Sequence, residues 1–167
     1  MDEKEKRDPA PGKNSTTVER RSERELVVTR TFKGPVRIVF EAWTRPELLQ
    51  RWWAPKSFGV SFISCEADAR TGGTYRFVFR HPASEKPMAF FGRYIEVIPN
   101  SRIVWTSDES GDDGPLTTVT FEERGSETLV VFHDLYPSKQ ALDTAIASGS
   151  TSGFDEQFEQ LDALLIT

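Results

Sequence analysis

Three side chains of this sequence belong to the types that most often do nucleophilic or proton-transfer chemistry near neutral pH: Cys65, His81 and His133. One cysteine excludes an internal disulfide and a zinc site built on several thiolates, and two histidines exclude a three-histidine metal site within the chain. Cys65 has no basic neighbour in sequence to lower its pKa, so it reads as a buried structural thiol. His133 follows Leu129 and Val131 on one face of an alternating run. Were that face inward, His133 would be a titratable group in an apolar setting, a candidate general acid or base. Otherwise it is a strand-end histidine bonded to a carbonyl or water. There is no Gly-x-Ser-x-Gly elbow and no His/Cys cluster, so His133 is the only catalytic candidate, with no metal or cofactor expected. Tyr94 and Glu96 share a strand face, and a phenol beside a carboxylate suits a ligand hydroxyl or, equally, an outer surface. Asp108, Glu109, Asp112 and Asp113 lack the ligand spacing of a calcium loop and read as a solvated turn. Gly72-Gly73 precedes a strand rather than a helix and lacks Gly-Lys-Ser/Thr, so it reads as a tight turn and not a phosphate loop.

The aromatic residues carry a stronger signal. Tyr75, Phe77 and Phe79 alternate with Thr74, Arg76 and Val78, which makes one face of a strand aromatic. With Phe91, Trp105 and Phe121 they are expected to line a pocket or to fill a core. Trp52 and Trp53 are helical neighbours, about 100° apart around the axis, and cannot both face one core direction. Trp52 is expected inside with Leu48 and Leu49, and Trp53 at a cavity entrance.

The elements that would position these residues can be read in order. Leu26 to Phe32 is a strand, stopped by Gly34-Pro35. Val36, Val39, Phe40 and Trp43 recur at helical spacing, and Thr44 with Glu47 brackets Pro46 as a capping box for a second short helix. Six strands follow: Val60 to Glu66, Gly73 to Arg80, Ala89 to Ile98, Arg102 to Ser107, Leu116 to Glu123 and Thr128 to Leu135. Ser138 caps a helix through Ala147. After a Gly/Ser break, Ser152 and Asp155 stand in capping spacing before a stripe of Phe154, Phe158, Leu161 and Leu165. The resulting fold class is α+β, a helix-grip: a curved antiparallel sheet of about seven strands wrapped around a long C-terminal helix, with a cavity between them.

Residues 1–24 carry charges, Pro9, Pro11, Gly12 and a Ser/Thr cluster but few apolar side chains, and read as a disordered tail before a single domain at 25–167. The 167-residue length suits one domain. A net charge of −5 provides no basic face for nucleic acid. No apolar run approaches the roughly 18 residues of a membrane helix. The charged start Met1-Asp2-Glu3-Lys4 lacks a secretory h-region, so a cytoplasmic protein is expected.

Several stretches resemble a known family. Thr29-Arg30 with Phe32, Pro35 to Trp43, and Thr44-Arg45-Pro46-Glu47-Leu48 leading to Trp52-Trp53 resemble the opening of the START/polyketide-cyclase superfamily. More narrowly they resemble its branch named after the activator of heat-shock protein 90 ATPase. Asp68, Arg70 and Gly72-Gly73 ahead of Tyr75-Arg76-Phe77 fit the same pattern. So do Gly92 to Pro99 and Arg102 to Thr106. The resemblance covers nearly all of the chain after residue 25. It implies a cavity between the sheet and the last helix, which members use for lipids, hormones or polyketides. The chaperone activators of this branch carry an additional N-terminal domain, where this chain has the expected tail.

The expectation for function is a cofactor-free binding protein for an apolar or aromatic small molecule. The ligand would lie among Trp53, Tyr75, Phe77, Phe79, Phe91, Trp105, Phe121, Phe154 and Phe158, with His133 or Tyr75 orienting it. The alternatives are a cyclase- or dehydratase-type enzyme using the same cavity and a chaperone-ATPase modulator acting through protein contacts. A monomer and a homodimer paired through the Leu26–Phe32 edge are both compatible with the sequence.

Overall fold

The computed structural model describes residues 15–149 and 151–165. Residues 1–14 of the expected tail lie outside it. Thr17–Arg20, also expected in the tail, instead form an edge strand, β1, antiparallel to β2 (Glu25–Lys33). Its four residues are all exposed. Backbone pairing with an edge, rather than apolar burial, holds this segment, and composition does not report that.

After β2 come α1 (Val36–Thr44) and α2 (Pro46–Trp52). Six further strands follow: β3 (Ser61–Ala67), β4 (Thr74–Arg80), β5 (Met88–Ile98), β6 (Arg102–Thr106), β7 (Leu116–Arg124) and β8 (Glu127–Leu135). Helices α3 (Lys139–Ala147) and α4 (Phe154–Leu165) complete the order. The eight described strands form one antiparallel sheet in the order β1-β2-β8-β7-β6-β5-β4-β3. The fold is the expected helix-grip with one more strand. β1 pairs with β2 over Leu26–Thr29, so that part of the edge expected to be exposed is occupied within the chain.

Local signals act as expected in some places and not in others. Ser138 accepts a hydrogen bond from the Ala141 amide, 3.0 Å, and caps α3. The expected capping boxes do not form. The Thr44 hydroxyl turns back to donate to the Phe40 carbonyl, 3.0 Å, and Glu47 accepts from Arg45, 2.6 Å. Pro46, which needs no amide partner, opens α2. Ser152 donates to the Gly149 carbonyl, 2.7 Å.

The core lies between the concave sheet face and the helices. Trp43, Trp52 and Phe158 meet edge to face there, with Trp43–Trp52 ring centroids at 4.7 Å and Trp43–Phe158 at 5.9 Å. Trp52 is fully buried and its indole N–H donates to the Ala42 carbonyl, 2.8 Å. Gly92 on β5 lets two strands approach closely: a Cβ there would sit 2.0 Å from the Thr106 carbonyl oxygen.

Candidate ligand cavity

One end of the space between sheet and α4 is open. A cavity of about 730 Å³ lies there, within the range of small-molecule sites. Its floor is made by inward residues of the sheet: Tyr75, Phe77 and Phe79 of β4, Met88 and Phe90 of β5, Trp105 of β6, Thr117 of β7, and Phe132 and Asp134 of β8. Phe154 and Gln157 of α4 and the segment after α2, with Trp53, Pro55 and Phe58, form the opposite wall.

That wall is held by α4. Gln157 donates to the Trp53 carbonyl, 2.6 Å, and Gln160 donates to the carbonyls of Trp52 and Ala54, both 3.0 Å. The Gln160 side-chain oxygen accepts from the Lys56 amide, 2.9 Å. Two glutamines thus satisfy carbonyls left over where α2 ends and fix Trp53 against the cavity. The Trp53 ring packs on Phe77 with centroids at 5.4 Å.

Six of the expected residues therefore stand around one cavity: Trp53, Tyr75, Phe77, Phe79, Trp105 and Phe154. Tyr75 contributes its ring but not a free hydroxyl, which donates to the Thr106 carbonyl at 2.7 Å. Burial pushes its phenol well above the usual range.

Four expected residues are placed elsewhere. Phe91 is opposite Arg76 in the β4–β5 ladder and lies on the outer face beneath that guanidinium, 5.6 Å from ring centre to charge. Its neighbour Phe90, opposite Phe77, takes the inward position. Phe121 faces inward but is covered by Phe40 and Trp43. Phe158 is sealed among Phe32, Trp43 and Trp52 and belongs to the core rather than the cavity. His133 points outward, where its Nε2 meets Glu25 Oε2 at 2.8 Å. With His133 outside, the candidate acid/base of a cyclase-type mechanism does not reach the cavity.

The Tyr94–Glu96 pairing fails for a related reason. A bulge between these residues shifts register, so Tyr94 stays inward and buried while Glu96 pairs with Arg102 on the outer face, 2.9 Å. Cys65 is half-buried, with its thiol pushed up to about 11 by burial. Gly72 takes positive φ in a turn, as expected.

The residue that sequence reading passed over is Asp134, next to His133 in the chain. It is 6% exposed, yet it faces the cavity. Its Oδ1 accepts from the Thr117 hydroxyl at 2.5 Å. Burial raises the carboxyl to about 7, against the opposing pull of that hydrogen bond and of His133. Both Leu129/Val131 and Val130/Phe132 are apolar pairs, so alternation in this strand does not choose a face. The available signal was an acid between two aromatics at same-face spacing, Phe132-x-Asp134-x-Tyr136. Among the described residues no group of three or more His, Cys, Asp or Glu converges on one point. No helix there is long and apolar enough to cross a membrane.

The same architecture recurs in solved structures. A Rhodobacter sphaeroides protein superposes with a TM-score of 0.81 at 22% identity, over 90% of this chain and 97% of that one. A Chromobacterium violaceum protein gives 0.71 at 28% identity, over 84% and 96%. An AHSA1-like protein from Aeromonas hydrophila gives 0.65 at 18% identity, over 83% and 93%. No curated protein matches the chain. The sequence pattern of one family does, from residue 33 in β2 to residue 166 just past α4, and so spans the helices, sheet and cavity wall described above. By that match the chain belongs to the family of Activator of Hsp90 ATPase homolog 1-like proteins.

Proposed function

We propose that this protein binds an apolar or aromatic small molecule in the cavity between the sheet and α4, acting in the cytoplasm without a resident cofactor. The observation that carries this reading is the cavity itself, about 730 Å³ left open among Trp53, Phe79, Trp105, Phe132 and Phe154. Close packing is the norm for a protein interior, and the other end of the same core achieves it. Burial of ligand surface against these rings supplies the affinity, at roughly 25 cal/mol per Å² before the costs of association.

The test is fluorescence titration with N-phenyl-1-naphthylamine, an apolar probe that brightens on leaving water. Wild type is expected to bind it saturably, and Met88→Trp, which places an indole in the cavity, to weaken binding at least tenfold. Equal binding by a folded Met88→Trp variant would move the site elsewhere. No saturable binding by the wild type would remove the reading.

A further inference from the structure

Resting on the binding reading above, we propose a more specific ligand class: a molecule with an aromatic or apolar body and one cationic nitrogen, which docks on the Asp134 carboxylate.

The argument begins with how this fold treats its buried carboxylates. Asp162 of α4 receives Arg30 of β2, a cation from within the chain, at 3.4 Å. Asp134 is more deeply buried and has the Thr117 hydroxyl as its hydrogen-bond partner. A buried acid without a cation is costly in its charged form, so either it stays neutral or its counter-charge comes from outside. Here outside means the cavity, because Asp134 is part of the cavity wall.

The surroundings on every side favour a cation. Across the sheet, Asp134 is opposite Leu26 of β2 and Thr117 of β7. On its own strand His133 faces away to Glu25, and just past the strand's end Tyr136 is a buried phenol. The helix α4 offers Phe154 and the amide Gln157, which is already engaged with Trp53. The remaining titratable groups of the cavity wall are Tyr75, whose hydroxyl donates to the Thr106 carbonyl, Glu109, whose carboxylate accepts from the Phe91 amide, and His81, whose Nδ1 accepts from the Ala83 amide. Among the described residues no lysine or arginine lines the cavity. A carboxylate ligand would meet two acids there and no fixed cation.

The rings beside Asp134 suit the same charge. Phe132 precedes it by two residues on the same face, and Trp105 is the cross-strand partner of Thr117. Trp105 and Phe132 lie 6.0 Å apart, and Phe132 and Phe154 5.1 Å apart, as ring centroids. Aromatic rings near a carboxylate are surroundings that favour a desolvated ammonium group.

Calorimetric titration of the full chain with three matched ligands tests this: 4-(1-naphthyl)butan-1-amine, the corresponding alcohol and the corresponding carboxylate. At pH 8 the amine is expected to bind at least tenfold tighter than the alcohol, with the carboxylate weakest. In Asp134→Asn, which keeps an acceptor for Thr117, the amine-to-alcohol ratio should fall to within about twofold. Should that variant fail to fold, wild type alone decides. Its ratio should shrink as pH falls from 8 to 6, because the carboxyl takes up a proton while the amine stays charged. An alcohol that matches the amine at pH 8, or a ratio unchanged by both Asp134→Asn and pH, overturns the assignment while leaving the binding reading in place. If the naphthyl ligands and the apolar probe all fail to bind, both fall together.

Discussion

The two ends of the space under the curved sheet are built from the same kinds of residue and differ in what covers them. At one end α1 and α2 lie across the sheet, and Trp43 touches Trp52, Phe121 and Phe158 at ring separations of 4.7–6.1 Å. Beside that cluster a cavity of about 20 Å³ remains, enough for one water. At the other end the helices have passed, and a single turn of α4 with the Trp53–Phe58 segment leaves about 730 Å³. Aromatic content alone therefore does not leave a cavity. The number of elements packed over the aromatic face does, and here the open end is also where the buried acid Asp134 is placed.

The largest effect that would sharpen this contrast comes from the filled end. Phe158→Ala removes a fully buried ring and should cost about 3–5 kcal/mol in urea denaturation, whereas Phe154→Ala at the cavity wall should cost about 1–2 kcal/mol. Equal losses would mean the two ends are packed alike.

Next comes the pH dependence of stability at the open end. The folded-state pKa of Asp134 is raised to about 7, above the ordinary carboxylate value near 3.9. The unfolded chain thus gives up this proton first as pH rises. Stability from the neutral form is full below about pH 4 and is lost as pH climbs to about 7. Measured against Asp134→Asn, wild type should lose on the order of 3 kcal/mol between pH 4 and 7.5 and change little above that. A flat difference would show that the carboxyl is not desolvated in the fold.

The smallest effect is expected one residue away. His133→Gln removes an outward pair with Glu25 and places no new group in the cavity, and affinity for the uncharged probe should be the same as in wild type. A several-fold loss of probe binding would show that the two faces of β8 communicate.

Much of the fold was legible in the chain because its punctuation and periodicity are local properties. Six middle strands, the Ser138 cap and the Phe158–Leu161 stripe lie where turn residues and spacing put them. The site was legible only in part. Tyr75, Phe77 and Phe79 alternate with residues that are mostly polar or small, and their face could be chosen. In Phe90-Phe91 and in Val130 to Asp134, adjacent apolar residues leave both faces plausible, and a shift of one residue exchanges every side chain between them.

By its composition and order the sequence determined an α+β chain of short helices, successive strands and a final amphipathic helix, because such preferences act over a few residues. The tertiary structure decided which face of β8 is inward, and so chose Asp134 over His133. It also decided that α1 and α2 close one end of the core and not the other, since that depends on register and on cross-chain packing that no local pattern encodes.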